Sequence, residues 1–508
     1  MHLPEDRLAV RTKWVTLLLF AAAAYFPLFL HLGNEPVKNF DESLFACRAF
    51  SLAYFGEYLC NFTDFTDLSE GKIIGPGASN TKPPLISFVQ AAFFRLFGYN
   101  ELALRLPSAL SAVLILLVFY RLSRRLFGSP VFGYLAGLVL VSSRGFVNVH
   151  VSRTGDHDAP LALFGIVLLL AYYHYLETER RDTRQLIIMT AMLSAAALTK
   201  GVAGLFFGPG MVLYALYKRQ LIPILRDRRT WLAVAAYLGV VAGYYLYREW
   251  DCPGFLSRVW RYEVGGHYGA TRDGHLHPWY WYFQNLYYKF TYFLPLLPLG
   301  IALFFVPKLR ALRSLGVLLL LAAASWMAVI SNSETKLLWY DASLYPILSL
   351  IVALALYQLH QALHVWLTLS DWRFRSLATG LFLLAFFALP YSFIISKVYH
   401  PKEVTYIPEQ YGFLIKQTER NLPDLKNYHI LHLGQSTHAL FYQLVYDLTK
   451  DYQIGRYRSP ESIQVGDVIM ACQNQMKKRL FGFYDVEVLQ AYENCVLVRV
   501  VAPKPPPQ

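Results

Sequence analysis

Long apolar segments recur along the chain and are separated by shorter polar gaps. The clearest of them cover residues 14–32, 106–122, 131–149, 159–176, 231–247, 315–331 and 377–396. A helix needs about 20 consecutive apolar residues to cross a bilayer, and several segments approach that length. The pattern therefore predicts a polytopic α-helical membrane protein with about 11–13 transmembrane helices. The first of them is expected to remain as an anchor.

The pattern changes near residue 398. From there the apolar runs are short, at 429–433, 468–472 and 495–501, while residues 437–448 have helical spacing. Short strands alternating with helices predict a small α/β domain of roughly 100 residues. We therefore expect a transmembrane domain at 1–397 and an α/β domain at 398–508. In this tail, Cys472 and Cys495 either form a disulfide outside the cell or remain buried thiols.

The distribution of charge predicts the topology. The chain has 47 Lys and Arg against 34 Asp and Glu, a net charge of +13. Basic residues concentrate in alternate gaps, at 121–125, 180–184, 218–229, 308–313 and 373–375. Cytoplasmic loops carry such an excess, so these gaps and the basic N-terminus are assigned to the cytoplasm. Nucleic acid is not expected as a partner, because no soluble face combines basic with aromatic residues.

The other gaps consequently face outward. They comprise residues 33–105, 150–157, 199–201, 248–285, 332–341 and everything after about 398. Within the first of these outward gaps, the apolar stretches 44–55 and 85–97 predict helices that lie along the membrane interface. The alternatives for these stretches are ordinary loop packing or one further membrane hairpin.

An acidic pair, Asp41 and Glu42, follows the first apolar segment. Charges close to lipid are costly, so charged residues that collect on one face indicate a functional site. A carboxylate in this position can act as a general base toward an acceptor hydroxyl or amine. Alternatively, the two acids stabilise the N-terminus of the first interfacial helix.

Three lysines occupy separate outward gaps. Lys82 precedes a Pro-Pro pair, Lys200 lies in an apolar hairpin, and Lys336 lies four residues before Tyr340. An ammonium at the lipid–water boundary suits a lipid phosphate, and a buried lysine needs an anionic partner. Lys336 and Tyr340 share a face if their segment is helical. The simpler explanation for Lys82 and Lys336 is anchoring of a helix end at the interface.

An Asp-x-Asp pattern, Asp156 and Asp158, lies in the next outward gap and beside Arg153. It indicates either a metal site or a carboxylate that pairs with Arg153 or caps a helix, and the second interpretation is favoured. Together, the outward cations suit a phosphate and the outward carboxylates suit acid–base catalysis. The combination predicts transfer of a group from a phosphate-bearing lipid to an acceptor.

Several short motifs resemble the bacterial dolichyl-phosphate-mannose-protein mannosyltransferase-like family, in particular its lipid A aminoarabinose transferases. They are Asp41-Glu42, Lys82-Pro83-Pro84-Leu85, Arg105-Leu106-Pro107-Ser108, Asp158-Ala159-Pro160, Thr199-Lys200-Gly201, and Lys336 with Tyr340 and Pro346. The resemblance implies a C-type glycosyltransferase fold in the bacterial inner membrane. It also implies a cytoplasmic N-terminus and a periplasmic C-terminal domain.

The resemblance further implies roles for individual residues. Asp41 would be the general base, with Glu42 and Asp158 as further catalytic candidates. The donor phosphate would contact Lys82, Arg105, Arg153, Lys200, Lys336 and Tyr340, and the acceptor or sugar would contact Glu263 and His277. The donor would be an undecaprenyl-phosphate sugar. No cofactor is required and no metal is expected, although a divalent metal stays open as an alternative.

The predicted function is transfer of this sugar to lipid A or another envelope glycan on the periplasmic side. Protein hydroxyls, as in protein O-mannosyltransferases, are the alternative acceptors. A flippase of lipid-linked sugars is less favoured, because its polar sites should lie near the bilayer midplane. A catalytically silent sugar-binding scaffold is a third alternative. The sequence does not identify the sugar, the acceptor or the oligomeric state.

Overall fold

The computed structural model describes residues 4–56, 66–67, 72–73, 81–178, 182–265, 275–369, 375–399, 409–433 and 437–504. Within these residues the chain forms a helical domain followed by a small domain built on a five-stranded sheet. The predicted class, a polytopic α-helical membrane protein with a C-terminal α/β domain, is confirmed.

The helical domain is built from helices that we number in chain order. They are α1 (Pro4–Phe29), α2 (Asp41–Tyr54), α3 (Leu85–Phe97), α4 (Glu101–Phe127), α5 (Val131–Val141), α6 (Asp158–Glu177), α7 (Thr183–Lys200), α8 (Gly208–Tyr217), α9 (Leu221–Arg226), α10 (Arg228–Asp251), α11 (Phe255–Val259), α12 (Trp281–Phe290), α13 (Leu296–Leu303), α14 (Arg310–Asn332), α15 (Tyr345–Leu369) and α16 (Arg375–Tyr399). A two-stranded ribbon, β1 (Thr66–Asp67) and β2 (Lys72–Ile73), lies between α2 and α3.

Seven of the described helices are long and apolar enough to cross a membrane by length and composition: α4, α6, α7, α10, α14, α15 and α16. Shorter apolar helices are contained in α1, α3 and α5. The number of 11–13 membrane crossings stays a prediction.

The apolar run at 131–149 does not form the single span that its pattern predicts. Its helix, α5, ends at Val141, and the chain then turns through residues 142–157. The turn packs against the start of α15, because a Cβ at Gly145 would lie 1.7 Å from Cζ of the buried Tyr345. Glycine permits this close approach of the backbone. The following loop therefore leads away from the apolar core and into the candidate site.

The two helices predicted in the first outward gap are present as α2 and α3, and they pack against each other. Almost every residue of α2 is buried, including its polar residues Glu42 and Arg48. A helix lying on a membrane surface would leave its polar face in water. The burial of α2 has another cause, which is the packing of the C-terminal domain against it.

The C-terminal domain contains α17 (Gln410–Asn421), β3 (Asn427–Leu431), α18 (Thr437–Thr449), β4 (Gln453–Tyr457), β5 (Val468–Ala471), α19 (Asn474–Phe483), β6 (Tyr484–Tyr492) and β7 (Cys495–Pro503). The strand order is β4-β3-β5-β7-β6, with β3 parallel to β4 and β5, and β7 antiparallel to β5 and β6. A disulfide joins Cys472, after β5, to Cys495 at the start of β7. The domain boundary at 398 stays a prediction.

One hydrophobic core joins the C-terminal domain to the outer part of the helical domain. It contains Phe50 of α2 and Phe94 of α3 together with Phe441 and Tyr442 of α18. The rings of Phe94 and Phe441 stack with centroids 6.0 Å apart. A second, larger core fills the helical domain between α4, α6, α14 and α15. Helix α2, which begins with Asp41, is thus held between two domains.

Candidate active site

A pocket in the helical domain collects side chains from five outward gaps or their edges. It is lined by Lys82, Pro83, Asp158, Leu161, Lys200, Gly201, Val202, Ala203, Phe206, Tyr245, Val259, Glu263, Trp326 and Tyr340. Five sequence-predicted site residues are among them: Lys82, Asp158, Lys200, Glu263 and Tyr340. Segments that are far apart in the chain therefore converge on one polar site.

Lys82 lies at the entry to α3 and pairs with Glu263. Its Nζ donates to Glu263 Oε2 at 2.6 Å, and Thr81 Oγ1 donates to Glu263 Oε1 at 2.6 Å. The Pro-Pro pair that follows fixes the backbone before α3 begins. The side chains of Lys82 and Glu263 are 25% and 21% exposed, so this charge pair remains accessible from the pocket.

Lys200 pairs with Asp158 where two neighbouring helices end. Asp158 is the first residue of α6, and Lys200 is the last residue of α7, which packs against α6. The helix dipole stabilises an acid at the N-terminus of a helix, as for Asp158, and a base at the C-terminus, as for Lys200. Lys200 Nζ donates to both carboxylate oxygens, at 2.6 and 2.7 Å, and lies 5.0 Å from the centroid of the Tyr340 ring. The cationic partner of Asp158 is thus Lys200 and not Arg153.

The residue between the two aspartates of the Asp-x-Asp pattern belongs to the core. His157 is buried, its ring stacks on Phe45 at 3.9 Å between centroids, and its Nδ1 lies 3.0 Å from the Thr199 carbonyl oxygen. Burial lowers the pKa of His157 well below its ordinary value. A neutral ring in this place links α2 to the end of α7.

Asp41 belongs to a second cluster, with His150 and Asp156. One donor atom from each of the three lies within 4.8 Å of the others, and His150 Nδ1 is 3.2 Å from Asp156 Oδ1. Burial opposes the charged form of His150, but Asp156, Asp41 and Asp158 outweigh it and raise the pKa of His150 to about 9. A cation therefore lies beside Asp41 at neutral pH.

The same cluster is the group among the described residues that could hold a divalent metal ion. Imidazole and carboxylate ligands are typical of zinc and similar metals. Both Asp156 oxygens are engaged, however, one by His150 and the other by Thr154 Oγ1, which donates at 2.5 Å. His150 and Asp156 thus also form an ion pair without a metal.

The two clusters adjoin each other. Trp339 stacks on His150 with ring centroids 3.8 Å apart, and the next residue, Tyr340, faces Lys200. Asp158, the partner of Lys200, also contributes to the raised pKa of His150. The candidate base and the candidate phosphate-binding lysines are consequently neighbours.

Glu42 and Arg105, both predicted site residues, form a buried ion pair. Arg105 Nε and Nη2 donate to Glu42 at 2.7 and 2.9 Å, and its other contacts are to backbone carbonyls of residues 32–36. The backbone N–H groups of Lys38 and Gly155 also donate to Glu42, each at 2.8 Å. Burial opposes ionisation of Glu42, but Arg105 outweighs it and lowers the pKa of Glu42. Neither side chain lines the pocket, and their catalytic and phosphate-binding roles stay predictions.

Three further predicted site residues have other partners. Arg153 donates to two backbone carbonyls at the end of α1 and beyond it, at 3.2 and 2.7 Å. Lys336 is buried and donates to the Ser333 carbonyl at 2.5 Å. His277 stacks on Trp281 with centroids 4.2 Å apart. None of the three lines the pocket, and their roles as phosphate or sugar ligands stay predictions.

His150 is not among the sequence-predicted site residues. It is the first residue of the outward gap 150–157, and that position is the only signal of it in the sequence. Its proximity to Asp41 depends on the turn at 142–157, which the apolar pattern does not show.

The sequence comparisons identify related proteins over part of the chain. Residues 81–247 match the family described as dolichyl-phosphate-mannose-protein mannosyltransferase. An uncharacterised protein of Aquifex aeolicus is 28% identical over 280 residues, which are 53% of this chain and 51% of that protein. A polyprenol-phosphate-mannose–protein mannosyltransferase of Mycolicibacterium smegmatis is 26% identical over 209 residues, 39% of this chain and 37% of that protein. The chain thus spans about half or less of the length of these curated relatives.

Solved structures resemble the chain over nearly its whole length. ArnT from Cupriavidus metallidurans, bound to undecaprenyl phosphate, has a TM-score of 0.69 at 17% identity and covers 96% of this chain and 98% of its own. The oligosaccharyltransferase AglB from Archaeoglobus fulgidus, with an inhibitory peptide and a dolichol-phosphate, has a TM-score of 0.56 at 14% identity, over 88% of this chain and 65% of its own. At these identities the likeness concerns the fold. The resemblance to the dolichyl-phosphate-mannose-protein mannosyltransferase-like family is therefore confirmed, by the family's domain at residues 81–247 and by the ArnT-like fold.

Proposed function

We propose that this protein is a membrane glycosyltransferase that moves a sugar from undecaprenyl phosphate to an acceptor. The observation that carries the proposal is the pocket in which Lys82, Lys200 and Tyr340 meet, next to the cluster that contains Asp41. Two relatives support a lipid-linked donor. The ArnT structure holds undecaprenyl phosphate, and the M. smegmatis relative is named for a polyprenol-phosphate-mannose donor.

In the proposed reaction an acceptor hydroxyl attacks the anomeric carbon of the donor sugar. A bond forms between the acceptor oxygen and that carbon, and the bond from the carbon to the phosphate oxygen breaks. The electron pair leaves with the phosphate, the hydroxyl proton passes to Asp41, and the anomeric configuration inverts. Lys82 and Lys200 stabilise the negative charge that grows on the departing phosphate.

Each lysine in the pocket already has a carboxylate partner, Glu263 for Lys82 and Asp158 for Lys200. The pairing avoids an uncompensated charge in a partly buried site. A bound phosphate would share the two ammonium groups with these carboxylates. The carboxylates therefore weaken phosphate binding, which lets the product, undecaprenyl phosphate, leave after transfer.

We propose lipid A or another envelope glycan as the acceptor, on the periplasmic side of the bacterial inner membrane. The ArnT-like fold across nearly the whole chain supports this acceptor class. The Cys472–Cys495 disulfide supports a periplasmic C-terminal domain, because disulfides persist in oxidising compartments. Protein hydroxyls are the second candidate, favoured by the name of the M. smegmatis relative.

Reconstitution tests the proposed reaction directly. Full-length protein in nanodiscs is given radiolabelled undecaprenyl-phosphate sugars, with lipid A in one reaction and a Ser/Thr-containing peptide in another. We expect labelled product with lipid A. Product with the peptide alone would favour a protein transferase. Movement of labelled lipid across proteoliposomes without product would favour a flippase.

Asp41→Asn tests the assignment of the base. The variant should lose about 10²–10⁴-fold in turnover, because it cannot accept the proton, while it still binds undecaprenyl phosphate. Glu334→Gln is the matched control, since Glu334 is an exposed acid in another outward gap and should retain full activity. An Asp41→Asn variant as active as this control would refute the assignment.

A further inference from the structure

His150 has a backbone conformation that is uncommon outside glycine. Its φ is +66°, in the left-handed region, which His, Asn and Asp adopt more often than other non-glycine residues. Its backbone N–H donates to Thr154 Oγ1 at 2.7 Å. Such a conformation persists only where the surrounding contacts impose it, and it is frequent at functional sites.

The imidazole of His150 is fixed from two directions. Asp156, which is buried, lies 3.2 Å from Nδ1, and the indole of Trp339 stacks on the ring at an interplanar angle of 22°. Asp156 is itself fixed by Thr154, the residue that also accepts the His150 backbone N–H. The ring therefore has one position and one orientation.

Asp41 is the third member of this arrangement. Donor atoms of Asp41, His150 and Asp156 are within 4.8 Å of one another, so two carboxylates share a small space with one imidazole. A protonated imidazole donates from both ring nitrogens and can compensate both. A general base must be ionised and correctly oriented before it can accept a proton.

We propose that His150 is a positioning residue for Asp41: held by Asp156 and Trp339, its imidazole orients the Asp41 carboxylate toward the acceptor. This inference rests on the proposed function, in which Asp41 is the base. His150 contacts neither donor nor acceptor in this role. It takes no part in the covalent step, and its effect reaches the reaction through Asp41.

The test compares His150→Asn with the unaltered protein in the nanodisc assay. Asparagine tolerates a positive φ, so the backbone of the loop is preserved while the imidazole is lost. We expect kcat to fall roughly 10–100-fold, as when an outer partner that orients a reacting group is removed. The KM for the donor and the binding of undecaprenyl phosphate should stay within about twofold, because Lys82 and Lys200 are untouched.

A double-mutant cycle separates positioning from general structural damage. If His150 acts through Asp41, His150→Asn should cause no further loss in an Asp41→Asn background. An equal loss in both backgrounds, or wild-type kcat in His150→Asn, would overturn the inference while leaving the proposed function intact. Full activity of Asp41→Asn would instead overturn the proposed function.

Two further measurements complete the test. If His150→Asn does not fold, Asp156→Asn replaces it and should give the same kcat-specific loss, again absent in the Asp41→Asn background. Activity of the unaltered protein should survive EDTA. Loss of activity in EDTA, with recovery on adding Zn²⁺ or Mn²⁺, would show that the three residues hold a metal and would overturn the positioning role.

Discussion

At the scale of single residues, the candidate site is a set of compensated charges. Lys82 is paired with Glu263, Lys200 with Asp158, and His150 with Asp156. A charged lysine or imidazolium in a partly buried site is costly without such a partner. In the proposed reaction a ligand phosphate must therefore compete with a carboxylate, and this competition would set both how tightly the donor binds and how readily the product leaves.

Glu263→Gln tests this competition. The change removes the anion from Lys82 and retains a side chain of similar size, so a bound phosphate no longer shares the ammonium group. We expect the Kd for undecaprenyl phosphate to fall by a few-fold, since a partly exposed ion pair contributes about 0.2–1 kcal/mol. Titration of purified protein in detergent measures the change. Lys82→Met should have the opposite effect, and weaker binding in Glu263→Gln would contradict the competition.

At the scale of elements, a buried ion pair determines where α2 lies. Glu42 of α2 accepts from Arg105 of α4 and from the backbone of Gly155, which precedes the buried Asp156. Three segments are thereby fixed relative to one another. This contact also fixes the position of Asp41, the neighbour of Glu42, although Glu42 itself does not face the pocket.

Arg105→Leu should destabilise the protein by about 3–5 kcal/mol, because it leaves Glu42 charged, buried and unpaired. Glu42→Gln should destabilise the protein less than Arg105→Leu.

The lowered pKa of Glu42 also predicts a pH dependence. Its stabilising contribution is complete above the unfolded pKa of about 4.3 and is lost as pH falls through the lower folded pKa. Thermal unfolding in detergent from pH 7 to 3 measures both effects. A Glu42→Gln variant with an unchanged acid limb would contradict this prediction.

At the scale of the whole molecule, the C-terminal domain packs against helix α2, which carries Asp41. Tyr442 of α18 donates to Glu101 at 2.5 Å and accepts from the backbone N–H of Val37 at 2.9 Å. Ser43 of α2 lies 2.6 Å from Thr437 between their hydroxyl oxygens. The C-terminal domain is not among the segments that line the pocket, so any influence it has on catalysis passes through α2.

Tyr442→Phe should destabilise the domain contact by about 1–3 kcal/mol, because the buried Val37 N–H loses its partner and the buried Glu101 carboxylate keeps Lys416 but loses a hydrogen bond. Activity should fall with the donor KM little changed. Tyr247→Phe is the matched control, since Tyr247 is 58% exposed. Unfolding curves and donor titrations measure the two quantities. Equal stability and activity in the two variants would show that this domain contact does not affect the site.

Much of the fold follows from the sequence because membrane insertion depends on local apolar length. The spans, the helices α2 and α3, and the α/β character of the C-terminal domain all appear as local periodicities. The prediction of a single span at 131–149 was wrong, because the helix is interrupted where a distant residue, Tyr345, packs against Gly145. No local pattern contains that contact.

The site could be predicted only in part, because local patterns do not contain the contacts between distant residues. Charged residues in outward gaps can be recognised as a group, and Lys82, Asp158, Lys200, Glu263 and Tyr340 do meet in one pocket. Arg105, Arg153 and Lys336 have the same chemistry and the same gap positions. They do not line the pocket, because after folding they lie near other backbone carbonyls and carboxylates.

By itself, then, the sequence determined the class of protein and the charged side chains that collect in alternate polar gaps, because burial in lipid and the cost of charge act on each segment separately. Only the tertiary structure decided which charges form the site and that His150 stands beside Asp41. The role of a charged side chain depends on the group it pairs with. In the pocket, paired side chains lie up to 181 residues apart in the chain, as Lys82 and Glu263 do.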